Sequence, residues 1–206
     1  MLFRSDLREY IEDGGLVVDV FAKITEASWP SAKDEWDEKF RASTGRDHLW
    51  IKKSEVEAIL AGNMPESLVR RLARFHLIDN TRGEPPLWKS SEVKEAAVTI
   101  TADGDPSNGG NGGNLRLEGS VKLETKKGDR GYDAKLFGII EIDARKKQIT
   151  RFDAVARGQF WGEGTYTPRA PPGKFTLAVA FTLAGDGESS RVPPQGARDF
   201  KGYLED

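Results

Sequence analysis

Apolar and polar residues alternate with a period of two over most of the second half of the chain. The segment "LRLEGSVKLET" shows this most clearly, because Leu115, Leu117, Val121 and Leu123 fall on one face and charged or small residues on the other. Such alternation predicts strands with one covered face. Six segments are predicted as strands: "GLVVDVFAKIT", "VKEAAVTITAD", "LRLEGSVKLET", "YDAKLFGIIEI", "QITRFDAVARG" and "KFTLAVAFTLA".

Helical spacing is confined to a region before these later strands. The segment "SEVEAILAG" ends at Gly62, a typical helix stop, and "PESLVRRLARFHLI" begins at Pro65, a favoured first position. Its apolar residues recur every three or four positions. The polar segment 26–47 between the first strand and these helices is predicted to be a long loop.

These elements predict an α+β fold. We expect a strongly curved antiparallel sheet or partial β-barrel of five to six strands, with two or three helices packed at one side or end. One domain is expected over residues 15–206, with a strand and helical part at 15–91 and an antiparallel β part at 92–206. Residues 1–14 are expected to be artefactual or disordered, since "LFRS" matches the translated end of a common sequencing adapter, and the natural chain is expected to extend upstream.

Composition excludes several classes of function. The 31 basic and 33 acidic residues nearly cancel, which argues against nucleic-acid binding. The chain has no cysteine, so thiol catalysis, disulfides and cysteine-ligated metals are excluded. With two histidines and no carboxylate cluster, no metal is predicted, and no motif predicts a cofactor. No apolar run is long enough for a membrane span, so we expect a soluble protein. The sequence does not indicate its compartment.

The hairpin around "DARKKQ" provides the first candidate site. If Asp143 faces Gln148 in a regular hairpin, paired residue numbers sum to 291. Arg151, Asp153 and Arg157 would then share a covered face with Ala134, Leu136, Gly138, Ile140 and Ile142. Buried charges must pair or bind something. The predicted alternatives are a polar pocket floor or a network of mutually paired charges.

The glycine-rich segment that follows this strand provides the second. Trp161, Glu163 and Tyr166 lie among Gly158, Gly162 and Gly164. They predict either a rim, where an aromatic wall and a carboxylate meet a ligand, or a wide turn with Trp161 plugging the barrel end.

The segment from Arg74 to Trp88 provides the third. His76 is a candidate general base, and Glu163 a second acid or base candidate. Arg82 and Trp88 complete the predicted ligand-binding set. The alternative is that His76 is a hydrogen-bonded core residue and that Arg82 forms a structural ion pair with Glu84.

The segments "RLARFHLIDNTRGEPPLW", "GYDAKLFGIIEID", "RFDAVARGQFWGEGTYT" and "RVPPQGARDF" together resemble the C-terminal region of uncharacterised bacterial proteins. In some of these a thioredoxin-like domain lies upstream. The resemblance covers most of residues 15–206 and implies no catalytic residue. It implies that any redox cysteines, and a possible thioredoxin-like partner domain, would lie upstream of this segment.

Taken together, the sequence predicts a non-catalytic accessory domain. It would bind a small molecule or a protein at the open end of a curved sheet. The alternatives are an enzyme that uses His76 or Glu163 as acid or base, with arginines holding an anionic substrate, and a purely structural domain.

Overall fold

Seven strands form one antiparallel sheet in the computed structural model, which describes residues 14–103, 112–185, 187 and 192–205. The strands follow the order β2-β1-β7-β6-β5-β4-β3 across the sheet. Their bounds are β1 Leu16–Glu26, β2 Gly45–Ile51, β3 Val93–Asp103, β4 Gly112–Glu124, β5 Gly131–Asp143, β6 Gln148–Trp161 and β7 Lys174–Leu183. The predicted α+β class with an antiparallel sheet is confirmed, but the predicted count of five to six strands is wrong.

Four α-helices occur in the described part of the chain, which exceeds the predicted two or three. They are α1 Glu35–Arg41, α2 Lys53–Leu60, α3 Glu66–Arg71 and α4 Phe200–Glu205. A π-helical turn, Leu72–His76, continues α3, and short 3₁₀ turns at Ser90–Glu92 and Gln195–Asp199 precede β3 and α4. The predicted stop at Gly62 is confirmed, because α2 ends at Leu60 and Gly62 has φ +80°.

Both β2 and α1 lie in segments that the sequence did not identify as regular structure. Six of the seven residues of β2 are buried, including both His48 and Trp50 on one face and Leu49 and Ile51 on the other. A strand covered on both faces shows no alternation of apolar and polar residues. The strand therefore lacked the signal on which the prediction depended.

The sheet curves strongly without closing. Its two edge strands are β2 and β3, which a flat sheet of seven strands would hold roughly 29 Å apart. The π turn Leu72–His76 nonetheless contacts both β2 and β3, and α3 also contacts β3. The sheet must therefore bend around this helical segment, which occupies the gap between its edges.

Two strand glycines mark where neighbouring strands approach closely on the concave face. A Cβ on Gly138 would lie 2.7 Å from Asp153 O, and one on Gly158 would lie 2.5 Å from Ala134 Cα. Real Cβ atoms do not come this close to backbone, so only glycine permits the approach. These positions let β5 and β6 bend together.

The hydrophobic core fills the concave face of the sheet. Side chains of α3 and the turn after it, including Leu68, Leu72 and Leu77, pack in one cluster with Val18 from β1 and Leu117 from β4. Residues from both predicted parts of the chain therefore share this core.

Some sequence-based expectations fall outside the described residues. Residues 1–13 of the segment 1–14 do so. At the other end of the described chain, Tyr203 and Leu204 of α4 are buried in one cluster with Trp50 and Phe75.

Replacing Gly138 by alanine is expected to lower the free energy of unfolding by about 1–3 kcal/mol, because the added methyl meets the β6 backbone. Chemical denaturation measures this. Gly113→Ala in β4 is the matched control, since a Cβ added at that position would have no other atom within 4 Å. Equal stability of the two variants would contradict the close approach.

Candidate functional site

The convex face of the sheet, called the outer face here, carries side chains in regular rows that run across the strands. Residues Phe21, Ala180, Val155 and Phe137 are successive cross-strand neighbours on β1, β7, β6 and β5. This row is called the apolar stripe. Strand alternation places its members on one face.

The apolar stripe is exposed where it crosses β5. Phe137 is 55% exposed and its neighbour Ile139 is 39% exposed. Around them lies a shallow depression of about 660 Å³. Its lining comes from five strands and includes Asp103, Arg116, Glu118, Phe137, Ile139, Asp153, Val155, Ala180 and Thr182. We take this depression, called the outer groove, as the candidate site.

The predicted face of Arg151, Asp153 and Arg157 is wrong. Asp143 does pair with Gln148, but a β-bulge at Glu141/Ile142 shifts the register, so Glu141 pairs with Arg151. Beyond the bulge the paired numbers sum to 292. A shift of one residue moves every side chain to the other face. The three charged residues therefore lie on the outer face, while Ala134, Leu136, Gly138 and Ile140 face the core.

Arg151 and Asp153 form a surface charge network at the border of the outer groove. Arg151 Nε donates to Asp153 Oδ2 at 2.5 Å, and its Nη1 donates to Glu141 Oε1 at 2.9 Å. Asp153 Oδ1 also accepts from Thr182 Oγ1 at 2.9 Å. The hydrogen bond from Arg151, followed by that from Thr182, lowers the pKa of Asp153. Of the two predicted alternatives, these contacts fit the paired network.

Arg157 lies away from this network on the same strand. It lies six positions along β6 from Arg151, which corresponds to roughly 20 Å along a strand. It donates to Glu26 Oε1 at 2.7 Å, and both side chains are exposed. The structure therefore does not bring Arg157 together with Arg151 into one pocket floor.

Trp161 stands at the end of β6 and packs against the neighbouring hairpin. Its Nε1 donates to Gly128 O at 2.9 Å, and Lys174 Nζ lies 4.3 Å from its ring. The ring also covers Gly131. These contacts give Trp161 a packing role at the end of β6.

Glu163 and Tyr166 occupy the connection between β6 and β7. Glu163 is exposed and its Oε1 accepts from the backbone N–H of Ala170 at 2.6 Å. Tyr166 is 72% exposed. Neither residue lines the outer groove.

Arg82 and Trp88 are buried structural residues. The Arg82 guanidinium donates to Asp79 Oδ2 at 2.6 Å and to the carbonyls of Thr167 and Pro168. It therefore ties the segment after α3 to the β6–β7 connection. Its expected partner Glu84 instead contacts Arg198.

Trp88 is 1% exposed. Its Nε1 donates to Leu77 O at 2.8 Å, and the Arg130 guanidinium lies 3.9 Å from its ring. No ligand can reach this ring without displacing the core.

His76 belongs to a sealed network with Asp47 and Tyr203. Tyr203 Oη lies 2.8 Å from His76 Nε2 and accepts the backbone N–H of Trp50 at 3.1 Å. Burial raises the pKa of the Tyr203 phenol far above its usual range, so the hydroxyl keeps its proton. On the other side of the ring, His76 Nδ1 lies 3.2 Å from Asp47 Oδ2.

This order of carboxylate, imidazole and hydroxyl is that of a catalytic relay. Here, however, His76 is 2% exposed and Tyr203 is fully buried. A reacting group needs contact with a substrate, and these atoms are enclosed by protein. The geometry therefore matches the predicted core histidine rather than a general base.

Asp47 is ionised within this network. Burial alone would raise the pKa of its carboxyl, but the adjacent His76 ring and the backbone N–H groups of Gln195 and His48 together outweigh the effect of burial. The backbone N–H of Gln195 adds a hydrogen bond of 2.7 Å. The pKa of Asp47 is therefore lowered from its usual value.

In the described part of the chain, no cluster of three His, Asp or Glu side chains is arranged to hold a metal ion. Within the same residues, none of the helices has the length and apolar character needed to cross a membrane.

Comparisons with known proteins return no similarity from which a role could be transferred. No protein-family model, no curated protein and no solved structure matches this chain. Any function must therefore be inferred from the site itself.

Sequence reasoning missed the residues that form the outer groove. Both faces of "KLFGIIEI" carry apolar residues, and the sequence prediction gave Phe137 and Ile139 no role. An antiparallel sheet commonly covers only one face. Apolar residues on both faces were therefore a signal for an exposed contact surface.

Asp47→Asn is expected to lower the free energy of unfolding at pH 7 by about 1–3 kcal/mol, through loss of a charged hydrogen-bonding group. The folded pKa of Asp47 lies below the unfolded value of about 3.9, so its stabilisation is present above that pH and is lost as pH falls through the folded pKa. The difference between wild type and variant should therefore shrink below about pH 4.

Denaturant unfolding at several pH values tests this expectation. Asp133→Asn, which changes an exposed carboxylate on β5, should stay within about 0.5 kcal/mol of wild type. A deficit for Asp47→Asn that is constant from pH 3 to pH 7 would show that its charge contributes nothing.

Proposed function

We propose that this chain is a non-catalytic binding domain that holds a protein partner on the outer face of its curved sheet. This revises the predicted location, which was the open end of the sheet. The observation that carries the proposal is the exposure of Phe137 and Ile139 beside Val155 and Ala180 on an otherwise charged surface.

Exposed apolar residues are common singly, whereas a contiguous group bordered by polar residues is typical of an interaction site. The outer groove has this composition. Arg116, Glu118 and Asp153 border it, while its floor is aromatic and aliphatic. Burying such a floor against a partner is favourable by about 25 cal/mol for each Å² of apolar surface.

A protein partner fits this groove better than a small substrate. The groove is shallow and is lined by residues from a single sheet face, whereas small-molecule sites usually enclose most of the ligand. Its borders carry charges of both signs, as do the rims of protein interfaces. A thioredoxin-like domain, which the sequence resemblance implies, is one such partner.

The positions of the candidate acid–base residues favour a binding function over a catalytic one. His76 is buried in its own network, and Glu163 lies on the β6–β7 connection outside the groove. Asp153 does line the groove, and its pKa is lowered. Its carboxylate, however, already accepts hydrogen bonds from Arg151 and Thr182. An enzyme built on His76 or Glu163 gains no support from these contacts.

The apolar dye anilinonaphthalene sulfonate is expected to bind the folded protein through the outer groove. Phe137→Ser should raise the dissociation constant of the dye about tenfold, since it removes about 1.4 kcal/mol of apolar contact. Fluorescence titration at low protein concentration measures this, with circular dichroism as the check on folding.

Tyr166→Ser is the matched control, because it removes an exposed aromatic residue outside the groove. Dye binding should be unchanged in this variant. Equal dye binding by wild type and Phe137→Ser would refute the groove as a binding surface.

A further inference from the structure

The sequence presents one pattern twice on the outer face. In β1, Asp19, Phe21 and Lys23 occur at alternate positions, and in β6, Asp153, Val155 and Arg157 do the same. Alternate residues of a strand point to the same side. Each strand therefore carries an acid, an apolar residue and a base in that order.

The register of β7 aligns the two patterns. Asp19 and Asp153 both pair with Thr182, and Lys23 and Arg157 both pair with Ala178. Between them Phe21 and Val155 both pair with Ala180, which places them in the apolar stripe. Because β1 and β6 are each antiparallel to β7, they run parallel to one another.

The apolar stripe therefore separates two rows of opposite charge. The acidic row consists of Asp19, Thr182 and Asp153, and the basic row of Lys23, Arg157 and Lys135, which pairs with Arg157 on β5. Each row lies about 7 Å from the stripe. Lys23 and Lys135 are exposed and form no ion pair with any other described residue.

We propose that the partner on this face is a second copy of the chain, packed by a two-fold axis that runs along the apolar stripe. This inference rests on the proposed function and names its partner. Rotation about that axis lays stripe on stripe and brings each acidic row over the basic row of the other copy. Asp19 then faces Lys23 of the second copy, and Asp153 faces Arg157 of the second copy.

Charge selects this axis over the other one in the plane of the face. A two-fold axis perpendicular to the stripe would lay acidic row over acidic row and basic over basic, which is unfavourable because like charges repel. Self-complementarity of one patch is what a two-fold dimer requires. Lys135, directly opposite Arg157 within the sheet, also gains carboxylates nearby, which relieves an unfavourable pair of like charges.

The ends of the stripe are compatible with this arrangement. Arg46 on β2 and Glu118 on β4 would lie near the axis. Each would therefore be close to the same residue of the second copy. Both already have partners within the chain, since the Arg46 guanidinium lies over the Phe21 ring and Glu118 contacts Arg116. The sheet also curves away from the partner at both ends.

The expected dimer is weak and reversible. Four strands and three rows span roughly 400 Å² in projection, which is below the ~800 Å² per partner of a standard interface. We expect a dissociation constant below about 500 µM, rising with salt because the rows interact through partly exposed charges.

Sedimentation equilibrium with two complementary variants tests the proposal. Asp19→Lys with Asp153→Lys makes both rows basic, and Lys23→Glu with Arg157→Glu makes both rows predominantly acidic. Each variant alone should dimerise on the order of 100-fold more weakly than wild type, and an equimolar mixture should recover a heterodimer. Glu66→Gln, a charge change at an exposed residue of α3 away from the outer face, should leave dimerisation unchanged.

A second pair of variants guards against misfolding at Asp153, which also accepts from Thr182. Lys23→Glu with Lys135→Glu reverses two exposed lysines of the basic row and should likewise weaken dimerisation. Asp19 is left unchanged in this pair because its Oδ1 lies 3.1 Å from His48 Nε2. A wild type that is monomeric at about 500 µM, or reversed variants that dimerise as well as wild type, would overturn the proposal.

The dye titration separates this inference from the proposed function. A monomeric wild type whose dye binding depends on Phe137 would refute the two-fold dimer and leave the groove open to a different protein. A monomeric wild type whose dye binding does not depend on Phe137 would refute both.

Discussion

The buried guanidinium of Arg71 joins four elements of the structure at one point. It donates to both carboxylate oxygens of Glu55 in α2, to the carbonyl of Trp50 in β2 and to the carbonyl of Tyr203 in α4. It is fully buried, and a buried charge is tolerated only when it is paired and hydrogen-bonded. The pairing must therefore persist wherever the fold persists.

This junction also protects the edge of the sheet. An edge strand presents unpaired backbone groups to which another strand can add. At β2 the N–H of Trp50 is taken by the Tyr203 hydroxyl, while Arg71 takes the Trp50 carbonyl. Strand addition is therefore blocked at this position of β2.

The sequence predicted the fold class because six of the seven strands follow each other with recognisable alternation or apolar character. It missed β2, since burial of His48 and Trp50 on one face and Leu49 on the other erases that alternation. It predicted the site incorrectly for a different reason. The side on which Arg151 and Asp153 stand depends on one inserted residue, and propensity carries no information about a bulge of that kind.

The buried networks could be anticipated only in part. His76 was considered as a hydrogen-bonded core residue, which its contacts with Tyr203 and Asp47 fit. These partners are distant from His76 in sequence, so only the three-dimensional fold identifies them. Arg82 pairs with Asp79 and not with Glu84, because the turn after α3 directs Asp79 inward.

The bulge in the β5–β6 hairpin has a consequence for changes in chain length. Thr150 is the extra residue, since Ile149 pairs with Ile142 and Arg151 with Glu141. Deletion of Thr150 would replace the bulge with regular antiparallel pairing and leave the other cross-strand pairs of β5 and β6 unchanged. Deletion of one residue after Phe152 would instead turn the core-facing side chains that follow it outward and the outward-facing ones toward the core. Natural variants that differ by a single deletion in β6 should therefore have lost the residue at position 150.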